Sequence, residues 1–543
     1  MLQNKEYRLT RRLLLSTLAS AVTSIAISAQ TPPKKPQLVV GIVVEGLQSE
    51  YLDLLDQYFC DGGFKRLLRD GAVIDNIEYG PGADAAAATA MIYTGTGPAV
   101  NGISASTVYD AARQTTYPVL LDPSKIGNYT NETYSPSAIL VSTLSDEVRM
   151  DNVGTGYVHS IAPDAIQSII MTGHAGNSAF WLNDITGRWA TTTYYKDVPP
   201  VITNRNFSAP LSARLDTLEW TPSLQLEQYP DVPDYKKIYP FRHTFRSNDI
   251  ERFAKFKQSA PMNREITSIA LDYISSMHLG THGAMDMLNV YYTLAPFPGV
   301  KDADTRLELL DSYLKLDIEL QRLLKAVDAA ADIKNTVIFV AGTPQRNSDK
   351  PDDPKWAVPY GEFFPRRAIS LLNMYLMALH GTGDWVTGYH NGQFYLNKDL
   401  IKEKGLDLRA IRSDVADFLL RMSGVCDAWT VDDILAARVG SRPDLVRRNT
   451  NVNHSGDVFI SVNPGWEIVE EHPGGMSRRI LSRAQATTAP FIIMAPQIIP
   501  TRIDTPVDVL SIAPTVARVL RIRSPNAAAN PTISTIFAPI NKK

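Results

Sequence analysis

A carboxylate at the end of a buried strand is the first place in this sequence where chemistry could sit. Leu38 to Val44 (LVVGIVV) is a continuous, mostly β-branched run that predicts a strand covered on both faces, and Glu45 follows it. Ligands of open α/β sheets bind just beyond the carboxyl ends of the strands, so an acid at this position stands where function is expected. The stretch Gly80 to Thr96 (GPGADAAAATAMIYTGT) reads as a strand-to-helix transition. It sets Asp84 before a run of alanines from Ala85 to Ala88, with Thr89 and Thr94 further on. A carboxylate there could act as a base or bind one ion. His278, His282 and Asp286 have the i, i+4, i+8 spacing that would bring three metal ligands to one helix face. Gly280 and Gly283 interrupt that segment, so a helix end and loop are expected instead. His174, between two apolar stretches, reads as a hydrogen-bonded structural histidine. Gly95, Gly97 and Gly102 lack the Gly-Lys-Ser/Thr of a phosphate-cradling loop and read as turns. The chain contains neither a G-x-S-x-G elbow nor an H-E-x-x-H pair.

The elements that must position these residues follow an α/β order. A short helix is expected from Gly63 to Asp70 with Gly71 as its cap, and Ser135–Pro136 looks like an N-cap and first helical residue. Apolar Ile139, Val141, Leu144 and Val148 predict a helix over Ala138 to Met150. The clearest helix follows Asp304, with Leu309, Tyr313, Leu316, Leu320, Leu324 and Val327 on one stripe. It leads into Thr336 to Val340 (TVIFV), a second buried strand, and this helix-then-strand order supports a parallel sheet with right-handed crossovers. Strands are also expected at Asn289 to Thr293, Gln393 to Asn397, Asp457 to Val462 and Phe491 to Met494. Further helices are expected near Leu371 to Leu379 and after Ala513–Pro514. Two insertions stand out: about 188–260, rich in Pro, Tyr and Trp, which could cover a pocket, and about 347–443, apolar enough to form a packed subdomain.

The 543 residues can bury a sizeable core, and a net charge of -3 creates no field for nucleic acid or anionic membranes. Lys5, Arg8, Arg11 and Arg12 precede an apolar run from Leu13 to Ile27, then Ser28 and Ala29. That pattern predicts an export signal over 1–29, with the domain occupying 30–543 and no transmembrane segment after the signal. Cys60 and Cys426 exclude a disulfide framework, leaving one bridge or two buried thiols.

VVGIVVEGL, GGFKRLLRDG and above all IYTGTGPAVNGI resemble the N-terminal half of alkaline phosphatase superfamily proteins. The likeness is to the type I phosphodiesterase/nucleotide pyrophosphatase and secreted bacterial phosphate-monoesterase branch. It continues through TGHAGNSAFWLNDITGRWATTTYY, LLDSYLKLDIELQRLL, SGDVFISVNPGW and SIAPTVARVLRI, in the family's order. The resemblance implies a three-layer α/β sandwich with a mostly parallel sheet and helices on both faces. It also implies two zinc ions about 4 Å apart that activate a Thr or Ser at a helix N-terminus.

Carried over residue by residue, that machinery is missing. The first-strand Asp falls on Glu45, the nucleophile on Ala85, the Asp-His pair on Thr343 and Pro344, and the last histidine on Thr488. The Asp-x-x-x-His segment falls on Leu294 to Pro298 (LAPFP), and the branch's phosphate-contacting Asn lies near Ser106. Its Lys/Arg pair has no equivalent between His159 and Gly187. None of the nine histidines directly follows an Asp or lies four residues after one. Hydroxyls do not replace carboxylates and imidazoles on zinc. The sequence therefore predicts an exported, catalytically inactive member acting as a binding or assembly component of the cell envelope, in the periplasm or at the outer-membrane surface. Its partner or ligand is unknown and no cofactor is expected. The alternative is a hydrolase of phosphate or sulfate esters with a rearranged site, in which Glu45 and Asp84 act and zinc is held.

Overall fold

The alternation of one strand sets the layering. In β1 (Leu38–Glu45), Val40, Ile42 and Val44 pack into one hydrophobic core and Val39 and Val43 into another on the opposite face. Side chains of a strand point alternately to either side, so an all-apolar strand has to be covered twice. The computed structural model describes residues 35–80, 82–196, 198–297, 305–332, 335–344, 360–471, 477–482 and 488–537. The expected export signal, Pro298 and the start of the second insertion lie outside them.

Beyond β1 the chain forms β2 (Ala72–Glu78), α1 (Ala85–Thr94), β3 (Val158–Ala162), α2 (Ala165–Thr172), β4 (Ser178–Leu182) and β5 (Trp189–Thr192). Then come α3 (Arg252–Lys257), α4 (Ala260–Ser276), β6 (Asp286–Thr293), α5 (Arg306–Ala330), β7 (Thr336–Thr343), β8 (Thr488–Met494), β9 (Thr501–Ile503) and α6 (Ile512–Leu520). These strands belong to an eleven-stranded sheet in the order β9-β2-β8-β7-β1-β6-β3-β4-β5, extended by Gly127–Asn128 and Val507–Asp508. The centre, β7-β1-β6-β3-β4, is parallel, while β8 runs antiparallel to both β7 and β2. α4 and α5 cover one face, and α1 and α6 the other. This is the expected three-layer α/β sandwich.

The region 188–260 enters the main core: Trp220, Phe245, Phe253 and Phe256 pack with the apolar side of α4 and α5. Trp220 donates to Asp311 of α5 at 2.6 Å. Farther on, Val386–His390, Gln393–Leu396, Val458–Val462 and Val425–Thr430 form a separate four-stranded sheet. With the helices Pro365–His380 and Leu408–Leu420 it encloses its own core around Leu372, Trp385, Phe394 and Val415.

One expected helix is shorter than its apolar spacing suggests. It starts at Leu144, not Ala138, because Thr143 and Asp146 form a reciprocal capping box that fixes the first turn. Ile139 lies outside the helix, in one hydrophobic cluster with Ala86 and Ala90 of α1. The segment with His278 and His282 is the loop expected after α4, and there His282 Nδ1 meets Asp286 at 3.0 Å. Cys60 and Cys426 are both free thiols.

Candidate binding pocket at the carboxyl ends of the central strands

The sheet register aligns Thr343, Glu45 and Thr293 side by side at the ends of β7, β1 and β6. Above them opens a cavity of about 430 Å³. Its wall is built by Glu45 and Gly46 after β1, Asp84 to Ala86 at the start of α1, Asp164 to Gln167 at the start of α2, and Ala295, Pro296 and Pro344. Ser106, Thr107, Pro118, Glu132 and Tyr134 complete the wall.

α1 can press against the sheet because its inward residues are small. Ala86, Ala87, Ala88 and Ala90 are fully buried, and Gly41 of β1 leaves room where a Cβ would lie 2.8 Å from the Tyr93 hydroxyl. That hydroxyl donates to Asn289 at 2.8 Å, and the Asn289 amide in turn donates to Ser145, Ser160 and the Met171 carbonyl. The helix N-terminus is thereby fixed at the pocket, with Ala85 on the wall. Asp84 caps it: one carboxylate oxygen accepts from Ala87 N at 3.0 Å and the other from Ser106 N at 2.7 Å. Thr89 and Thr94 turn inward and donate to the Ala85 and Ala90 carbonyls, both at 2.6 Å, so neither hydroxyl reaches the cavity.

Glu45 is the perturbed group. Burial first, then the nearby Asp164 and Asp84 carboxylates, push its carboxyl up to about 7, while the Tyr291 hydroxyl pulls it slightly back. Tyr291 lies against Glu45 with Thr343 beside it, and both hydroxyls are buried. Asp164 turns away from its own helix and meets Lys257 of α3, which also holds Asp184, each at 2.5 Å. Burial alone would lower the Lys257 ammonium, but these two carboxylates outweigh it and hold it above its ordinary range.

Of the residues singled out in the sequence, Glu45, Asp84, Ala85, Ser106 and Pro344 meet at this cavity. Thr343 lies just beneath it beside Glu45, whereas Thr488 is exposed at the start of β8 and is not on the wall. His174 is tied to Asp146 at 3.1 Å and to the Ile139 carbonyl at 2.9 Å, away from the pocket. The sequence reading missed Glu132, Tyr134, Asp164, Thr107 and Lys257. Asp164 had a signal, since it stands just after a strand and immediately before a helix. The others come from loops and insertions with no local signature. Thr107 shares a hydrogen bond with His390 Nε2 of the second sheet at 2.9 Å.

Two zinc ions do not fit this donor set. At the positions that the family resemblance assigns to their ligands stand Glu45, Thr343, Pro344 and Thr488, with Leu294 to Pro298 in place of the Asp-x-x-x-His segment. Among the described residues, no group of three or more His, Cys, Asp or Glu converges as a metal site requires.

The sequence model of the family described as Type I phosphodiesterase / nucleotide pyrophosphatase matches residues 39–479. The chain is 26% identical to alkaline phosphatase PhoV of Synechococcus elongatus, over 93% of both chains. It is 24% identical to alkaline phosphatase PafA of Elizabethkingia meningoseptica, over 93% of this chain and 95% of that one. A protein of Myroides odoratus named calcium-transporting ATPase is 27% identical over 93% and 95%. The crystal structure of wild-type PafA superposes with a TM-score of 0.81 at 22% identity, covering 93% of this chain and 99% of that one.

Proposed function

This chain belongs to the type I phosphodiesterase / nucleotide pyrophosphatase family, and from that premise we propose that its pocket binds a ligand without running the family's two-zinc displacement. In this reading the protein is exported and serves as a binding or assembly component of the cell envelope, in the periplasm or at the outer-membrane surface. Among the described residues, no helix is long and apolar enough to cross a membrane.

The observation that carries the reading is the donor set. A transferring phosphoryl group needs cationic clamps, and a covalent route needs a nucleophilic side chain, which alanine lacks. Here Ala85 stands at the helix N-terminus, and among the described residues the wall presents Glu45, Asp84, Glu132 and Asp164 with no Lys, Arg or His. Two like unit charges ~6 Å apart repel by about 3 kcal/mol at an effective dielectric of ~20. Several such pairs oppose a phosphate dianion.

The second reading is a hydrolase of phosphate or sulfate esters with a rearranged site, and the names of the relatives favour it over an inactive component. Two features of the pocket also speak for it. Glu45, pushed up to about 7, has the proton affinity of a general base at neutral pH, and the Thr107 hydroxyl is paired with an imidazole.

The readings separate in one experiment: bound zinc is measured on the purified protein, which is then assayed against phosphate monoesters, phosphate diesters and sulfate esters. The binding reading expects no stoichiometric zinc and no turnover. Turnover abolished by Glu45→Gln or Thr107→Val would establish the hydrolase.

A further inference from the structure

We infer that the helix Pro365–His380 is a docking face for an anionic phospholipid surface, an inference independent of what the pocket binds. The helix packs Ala368, Leu372 and Leu376 into the core of the second sheet. A helix with one face in water ordinarily carries charges on that face. Here the sequence from Ala368 to Gly383 contains no Asp, Glu, Lys or Arg. The outward side chains include Leu371, Met374 and Met377, with Met374 62% exposed, and Leu379 is 53% exposed in the last turn. The neighbouring helix Leu408–Leu420 keeps the ordinary pattern, with Arg409 and Asp417 outward. The apolar outer face thus belongs to one helix and is not general to the subdomain.

Charge selects the occupant. Arg366 and Arg367 are exposed in the first turn, which holds no acid, and among the described residues no carboxylate pairs with either. Arg367 lays its guanidinium over the Phe364 ring at 4.1 Å. Cations are disfavoured at a helix N-terminus, where the macrodipole is already positive. These arginines therefore do not serve the helix, and an external anion would satisfy both them and its dipole. Tyr375 stacks on Phe418 at 4.7 Å and His380 lies 3.7 Å from Asp414, so the two helices run antiparallel. That pairing carries the exposed Leu420 and Arg421 toward the same end as Leu371 and the two arginines. The result is an apolar strip with three arginines at one end.

Size separates a lipid surface from a second copy of the chain. A helix of 16 residues is ~24 Å long and ~10 Å across. Its outer face offers roughly 240 Å², against the ~800 Å² per partner of a stable protein interface. A lipid surface sets no such minimum. An amphipathic helix lying in the interface plane buries its apolar face ~5–10 Å deep and gains from arginines beside anionic headgroups. Among the described residues no helix is long and apolar enough to cross a membrane, so the contact is a peripheral one.

The test is co-sedimentation of the purified protein with vesicles of equimolar phosphatidylcholine and phosphatidylglycerol, beside vesicles of phosphatidylcholine alone. Binding to the mixed vesicles is expected, and much weaker binding to the others. Arg366→Gln combined with Arg367→Gln should weaken it about thirtyfold, the worth of two cations beside an anionic surface. Met374→Glu combined with Met377→Glu leaves every arginine in place and should weaken it at least as much. A circular dichroism melt confirms that each variant is folded. The apolar run Leu13 to Ile27 is the same in every variant, so a loss on substitution in the helix reports on the helix. Absence of binding to the mixed vesicles, equal binding to both kinds, or unchanged binding in either double variant overturns the inference. So does a dimer in sedimentation velocity that Met374→Glu with Met377→Glu dissolves, because a second copy then covers the face.

Discussion

Glu45 concentrates the tension of the pocket in one side chain. Its carboxyl is raised from 4.5 to about 7 by burial and by the charges of Asp164 and Asp84. Between those two values the unfolded chain has released the proton while the folded protein keeps it. Stability contributed by this group is therefore present below pH 4.5 and is lost as the pH rises toward 7. One pKa unit corresponds to about 1.4 kcal/mol, and the opening to solvent at the cavity discounts the full shift, so about 1–3 kcal/mol is at stake. Glu45→Gln imitates the protonated carboxyl. It is expected to raise the melting temperature at pH 8 and to leave it nearly unchanged at pH 4.5, which thermal melts at both values will measure. A gain of equal size at both pH values would mean that packing, and not charge, sets the effect. Asp84 behaves differently although it lies on the same wall. Both of its oxygens accept backbone N–H groups, so its charge is committed to holding α1 and the Ser106 turn.

The helix that carries Ala85 depends on a fit that involves three elements. Gly41 of β1 leaves space, Tyr93 of α1 fills it, and Asn289 of β6 accepts the Tyr93 hydroxyl. A Cβ at position 41 would lie 2.7 Å from Asn289 Oδ1 and 2.7 Å from Phe339 Cζ in a region with no slack. Gly41→Ala is therefore expected to cost about 2–3 kcal/mol by overpacking. Tyr93→Phe should cost about 1–2 kcal/mol by removing a buried donor. Urea unfolding midpoints check both, and a near-neutral Gly41→Ala would show that α1 can lift from the sheet without loss. Much at this scale was legible beforehand. β1, β6 and β7 are buried on both faces, so their runs of Val, Ile and Phe announce them. Sequence segments such as VVGIVVEGL and IYTGTGPAVNGI, standing in the family's order, carried the family resemblance, and with it the three-layer fold. The helix at Leu144 was legible only in its cap, Thr143 with Asp146, and the apolar spacing of Ile139 and Val141 masked that signal. The pocket was half legible. Glu45, Asp84 and Ala85 sit at the ends of elements, where sequence order predicts position. Glu132, Tyr134 and Lys257 arrive from loops and an insertion, and only the tertiary path of the chain brings them near.

Across the whole molecule, the division of hydrophobic cores says which parts stand or fall together. The region 188–260 buries Trp220, Phe245 and Phe253 in the same core as α4 and α5, and its Lys257 holds Asp164 at the pocket. It is thus part of the framework of the site. The residues around Trp385 instead form a core of their own. They meet the central body near the pocket through Thr107–His390 and through the Tyr109 hydroxyl, which donates to the Thr387 carbonyl at 2.7 Å. Trp385 is fully buried, its ring nitrogen donates to the Gly381 carbonyl, and its backbone N–H donates to Asn373. Trp385→Ala removes this large side chain at an expected cost of about 3–5 kcal/mol. Because that cost falls on a separate core, amide hydrogen exchange read by mass spectrometry should accelerate across 361–471 and leave β1, β6 and β7 as protected as in the parent protein. Exchange rising equally in those central strands would show a single cooperative unit. Intact central strands with weakened ligand binding would show that the second sheet supports the pocket through the contacts at Thr107 and Tyr109.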